Sequence, residues 1–263
     1  MRISIMSDKK AVKSLQYAFA VIFWLALWHF ASLKINKSII LVSPAEVIKT
    51  LFSLVRETAF WSAVMFSFIR IAGGFFLALV FGTALAVTAS SVAFVKALLS
   101  PLISAMKSTP VASFVILVLL WLPSRNLAVV ISFLMVFPII YTNVLNGILN
   151  VDKKLIEMAD VFKIGKVKKM LYIYLPDVMP FFISACTVSL GMSWKSGIAA
   201  EVIGQPDGSI GERLYKSKLL LETPDLFAWT VVIIVISYVF ERLFLLLLKL
   251  ISDRIERGGI AWK

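Results

Sequence analysis

The chain has 263 residues, 60% of them hydrophobic and 16% charged, with a mean hydropathy of +0.93. Soluble domains run at about 45–50% apolar and about 25% charged, so a core inside a polar shell is excluded, and with it a soluble enzyme or a disordered binding module. The outer surface must face a bilayer, and the net charge of +12 reads as basic loops held on one side of it, with lipid and not nucleic acid as partner.

The first predicted element is a span over 15–33. It follows a basic head (Arg2, Lys9, Lys10, Lys13), contains no charged residue, and is longer than the about 7–15 apolar residues of a secretory signal, so it reads as uncleaved. Residues 43–60 open with Ser-Pro and Glu46, then repeat Val47, Leu51, Leu54 and Val55 at helical spacing, which predicts an amphipathic helix at the outer interface. The second span, 61–95, carries Arg70 as a structural anchor and small residues every fourth position: Gly74, Ala78, Gly82, Ala86. Such a strip lets another helix approach closely; intrachain packing is the favoured reading, a dimer interface the alternative.

The third span, 97–122, is interrupted by Pro101 and Pro110. Proline removes a backbone donor, and irregular backbone at membrane depth is tolerated only where it is buried or lines a cavity. Lys107, Ser108, Thr109 and Pro110 put a cation and two hydroxyls at that break and are candidates for a translocation pathway; the alternative is that Lys107 snorkels to a headgroup. Spans at 126–150, 177–200 and 226–248 complete a count of six in a single domain, 1–263. Trp194, Lys195 and Glu201 of the fifth span join the pathway candidates. Residues 204–225, marked by Gly204, Pro206, Gly208, Gly211 and Pro224, read as turns. An even count puts both basic tails on one side, fifteen Lys and Arg there against eight on the other, so both termini are expected in the cytoplasm. The single Cys186 excludes an internal disulfide; with one histidine, His29, no metal site of imidazole or thiolate type is expected.

Residues 152–169 hold nine charges in eighteen positions and cannot cross a membrane. Leu155, Met158, Ala159 and Phe162 recur at helical spacing; Glu157 and Asp160 lie toward the beginning and lysines crowd the end, as the helix dipole prefers. A helix over 155–167 is predicted, stopped at Leu175-Pro176. It could grip anionic lipid or sit in a groove on a partner protein.

Glu157 to Pro176 resembles the signature loop of ABC-importer permeases, E-A-A-x-x-x-G followed by I-x-L-P. Glu157, Ala159, Ile173, Leu175 and Pro176 match at the family's spacing; Met158 replaces an alanine and Lys163 the glycine, so the turn is expected not to be left-handed at Lys163, or to be reached at Gly165. Four more fragments resemble the nitrate/sulfonate/taurine branch in order: 43–47, Ser67 to Phe75, 108–112, and Ser193-Trp194 with Ala200-Glu201, followed by a turn at 208–211. The resemblance implies an all-α polytopic membrane protein of about six transmembrane helices, like a type I ABC-importer permease, with a cytoplasmic coupling helix between spans 4 and 5.

It also implies a non-catalytic subunit of a prokaryotic plasma (inner) membrane transporter that works by alternating access. Its partners would be two cytoplasmic ATPase subunits carrying ATP and magnesium, a periplasmic or lipid-anchored solute-binding protein, and a second copy of the permease. The chain has no G-x-x-x-x-G-K-[ST], hence no phosphate-cradling loop and no cofactor of its own. In this reading Glu157 holds the loop, Met158 and Ala159 allow close approach to the ATPase, Asp160, Phe162, Lys163 and Gly165 complete the coupling surface, and Pro176 fixes the start of the fifth span. The substrate would be a small organic solute or anion of sulfonate, taurine or nitrate type, which Lys107 and Lys195 would suit, or a neutral heterocyclic vitamin precursor. A self-contained channel or secondary transporter is the rival; a membrane enzyme lacks a catalytic cluster in the spans.

Overall fold

The structure, a computed structural model, describes residues 2–35, 37 and 39–260. The side chains of Arg2, Lys9, Lys10, Lys13 and Arg257, and Lys263 as a whole, lie outside the described residues. Among those described the chain is helical with no strand: α1 (Arg2–Ile35), α2 (Pro44–Leu54), α3 (Thr58–Ser91), α4 (Ala93–Ser108), α5 (Val111–Leu119), α6 (Leu127–Leu149), α7 (Lys153–Val161), α8 (Lys166–Lys169), α9 (Leu175–Gly204), α10 (Ile210–Leu219) and α11 (Thr223–Ile260). Five helical stretches among the described residues are long and apolar enough to cross a membrane. A sixth is broken, α4 and α5 meeting at 106°.

The break follows from Thr109-Pro110. The residue before a proline is steered to extended backbone, and Thr109 sits at φ −80°, ψ 128°. The second span ends at Ser91, not 95, because Val92 is extended.

The chain packs as two compact units: Met1–Trp61 with Arg213–Val231, and Ser62–Glu212 with Val232–Lys263. In the first, Ser43 caps α2 by accepting the Glu46 N–H, with Pro44 at the first helical position, as Ser-Pro-x-Glu predicts. Trp28 donates from Nε1 to the Val42 carbonyl at 2.9 Å and stacks on Phe227, and Thr223 bonds the Ile39 carbonyl at 2.7 Å.

In the second unit, α6 and α9 pack extensively against each other. Ser132 of α6 donates to the Ser193 carbonyl, and a Cβ on Gly197 would meet Ser132 Oγ at 2.7 Å and Ile71 at 2.6 Å. The small-residue strip of α3 is used inside the chain: Ala78 and Ala86 are buried, and a Cβ on Gly74 would lie 2.4 Å from the Val129 carbonyl oxygen. Backbones can come this close only over small residues. Arg70 donates to the Arg125 carbonyl at 2.8 Å and lies 3.5 Å over the Phe66 ring, an anchor as expected.

Candidate functional site

Asp152 caps α7, its Oδ1 accepting the Lys154 N–H at 2.9 Å. The helix then splits its apolar residues. Ile156 and Ala159 turn inward onto Val151, Ile164 and Ile173, Ala159 being fully buried. Leu155, Met158, Val161 and Phe162 stay exposed, Phe162 at 72% and Val161 at 78%. The small size of Ala159 therefore serves packing under the helix, not an outward contact. Glu157 is exposed and makes no hydrogen bond or ion pair among the described residues, so it does not hold the loop. That is done by the Asp152 cap and the turn that follows, with an exposed ion pair between Asp160 and Lys169 at the rim.

The helix ends at Val161, six residues before the predicted 167. The Lys163 N–H bonds the Asp160 carbonyl and the Ile164 N–H the Ala159 carbonyl, at 3.0 and 2.8 Å. These are the two bonds of a Schellman cap, whose left-handed position normally falls to glycine. Here Lys163 takes it, at φ +53°, while Gly165 is at φ −63°. The expectation of a turn without left-handed backbone at Lys163, or one moved to Gly165, is corrected. The pair of cap bonds and the burial of Ile164 against Ala159 fix the backbone whatever the side chain, against a strain of about 1–2 kcal/mol for a residue with a Cβ. The lysines at 163, 166 and 168 belong to this turn and to α8 instead of ending α7.

Pro176 does not stop the pattern. Met170–Tyr174 form a π-turn, and helix continues from Lys166 to Gly204. A widened turn takes up a register mismatch without a break, so the proline sits in the first turn of α9. Beside the loop is an open cleft of about 690 Å³ lined by Phe162 to Lys168, Tyr172 and Ile173.

The pathway candidates fall into two sets. The Lys107 and Lys195 side chains are exposed and have no hydrogen bond or ion pair among the described residues. The Ser108 and Thr109 hydroxyls donate back to the Ser104 and Ala105 carbonyls at 3.1 and 2.7 Å, and Pro110 precedes α5. Trp194 is buried among Phe68 and Phe240, ring centroids 6.0 and 6.4 Å away. No hydrogen bond or ion pair joins residues 107–110 to 194–201 among those described.

Glu201 is fully buried, and its Oε2 accepts from Ser67 Oγ at 2.7 Å and from the Gly211 N–H at 3.2 Å; Ser67 Oγ in turn accepts the Ile210 N–H at 3.0 Å. A Cβ on Gly211 would lie 2.3 Å from that of Glu201. Three fragments that look minor in the sequence, at 67–70, 200–201 and 208–211, thus converge on one bracket. The turn region also holds α10, which the sequence reading missed. Its signal was Ser209-Ile210-Gly211-Glu212: Ser209 accepts the Glu212 N–H at 3.0 Å and Glu212 accepts the Gly208 N–H at 2.6 Å, a variant of the capping box.

Residues 74–257 match the family described as the binding-protein-dependent transport system inner membrane component. The chain belongs to that family. The permease is 22% identical over 220 residues to the taurine transport system permease protein TauC of Escherichia coli (strain K12), covering 81% of this chain and 80% of that one. It is 24% identical over 216 residues to the putative aliphatic sulfonates transport permease protein SsuC of Bacillus subtilis (strain 168), covering 81% and 78%. Among solved structures, a chain of the MetNI methionine ABC transporter in inward-facing conformations matches with a TM-score of 0.52 at 19% identity, over 76% of this chain and 93% of that one. This likeness shows the fold of the permease, an all-helical one of the ABC-importer type.

Proposed function

We propose that the permease forms the translocation pathway of an ABC importer and moves its substrate by alternating access, driven by two separate cytoplasmic ATPase subunits that bind all the nucleotide. The carrying observation is α7 with its cap: Leu155, Met158, Val161 and Phe162 are left exposed on a rod held by Asp152 and the Schellman turn. An amphipathic helix with an unpartnered apolar stripe fits a groove on a partner. A second copy of the chain and an external solute-binding protein complete the assembly in this reading, and both termini are cytoplasmic. Glu157, Asp160 and Gly165 border the stripe, and Pro176 passes its motion to α9. Lys107 and Lys195, exposed cations in the third and fifth spans, suit a small organic anion of the kind that the names of the relatives carry.

The test is Phe162→Asp with Met158→Asp. Both side chains are exposed, so folding and melting should be kept while ATPase association falls about thirtyfold or more and uptake stops. Unchanged association and uptake would overturn the reading. Sidedness is tested separately with Lys168→Cys: Cys186 is buried, and a membrane-impermeant maleimide should label the new thiol only from the cytoplasmic side.

A further inference from the structure

The cleft beside α7 has a charge pattern that the apolar stripe does not explain. Its lining carries Lys163, Lys166 and Lys168 with no acidic side chain among them. All three are exposed, and none of their side chains makes a hydrogen bond or ion pair among the described residues. Lys169, the last of the four lysines between 163 and 169, differs: it is largely covered and paired with Asp160. Asp160 thus pairs with one of these four cations, and three are left around a concave surface whose apolar part is Phe162, Val167 and Tyr172. Lys163 projects from the left-handed residue of the cap, where glycine would be relaxed. Strained backbone that keeps an exposed, unpaired side chain points from the outlier toward a use for that side chain.

The geometry points to the cleft as an electrostatic selector: Lys163, Lys166 and Lys168 receive an acidic segment of the ATPase partner, beside the apolar groove that takes α7. This rests on the function proposed above. The cleft is continuous with α7 through Phe162, so a partner seated on the apolar stripe meets the three cations at its edge. Rim charges of this kind set partner choice and salt dependence more than raw affinity. An ATPase lacking the matching acids would be rejected by uncompensated like charge or desolvated lysines.

The full-length permease in phosphatidylcholine nanodiscs is titrated with its co-expressed ATPase subunit at about 50 and about 300 mM salt, concentrations that bracket a Debye length of about 10 Å. It is compared with the triple variant Lys163→Gly, Lys166→Gln, Lys168→Gln. Glycine suits the left-handed position and glutamine suits a helix, so the variant folds. Wild type should lose about tenfold in affinity between the two salts. The variant should bind about tenfold more weakly at low salt and show little further loss. If both bind equally with the same salt response, the inference is overturned while the importer reading stands. A defect that appears only in phosphatidylglycerol nanodiscs assigns the lysines to lipid phosphate and also overturns it. If wild type binds no ATPase in either lipid, the inference falls together with the function beneath it.

Discussion

The bracket at Glu201 and the turn at Lys163 place a charged residue and a helix end in opposite settings. Around Glu201 everything is buried, and Gly211 is required because any Cβ would occupy the space of another side chain. The Lys163 side chain is open to solvent, and glycine is absent although the backbone angle favours it. One glycine is fixed by space, whereas the other position is governed by torsion alone, and torsion alone tolerates a lysine.

That contrast orders the expected effects of substitution. Gly211→Ala should be the most damaging, destabilising by about 3 kcal/mol, read as lost folded yield and a lower melting temperature in detergent. Glu201→Ala should come next at about 2 kcal/mol, because it strands the Ser67 hydroxyl and the Gly211 N–H; Glu201→Gln, which keeps an acceptor, should lose less than half of that. Equal losses for Ala and Gln would mean that the carboxylate charge, not the bracket, is what matters. Lys163→Gly should act the other way, stabilising by about 0.5–1 kcal/mol through relief of the left-handed Cβ. A destabilised Lys163→Gly would show that the side chain holds the turn. Asp160→Asn, which breaks an exposed ion pair, should change stability by less than about 1 kcal/mol, and a larger loss would move that pair from the rim to the structure of the loop.

The same division decides what could be read in advance. Spans announce themselves because lipid demands long apolar runs, and the prolines at 101 and 110 mark the broken one. The Ser43 cap and the strip from Gly74 to Ala86 were legible because their spacing is the periodicity of a helix. The inward turn of Ala159 was not, since an amphipathic pattern shows which residues share a face and not which neighbour covers it. The role of Glu201 was hidden for another reason: its donors lie 134 positions before it and 10 after it, and an intramembrane carboxylate looks the same in sequence whether it meets a solute or a serine. Ser108 and Thr109 show the same ambiguity: their hydroxyls bond to carbonyls of their own helix, a local bond that the sequence does not announce.

The unbroken run from Lys166 to Gly204 has a mechanical consequence. Thirty-nine residues of helix extend about 58 Å at 1.5 Å per residue. Because the π-turn joins the charged segment to the span without a flexible elbow, a tilt of about 5° at one tip carries the opposite tip through about 5 Å over that length. In the function proposed above the rod is a lever whose two arms are a surface handle and a buried post, Glu201, three residues from its far end.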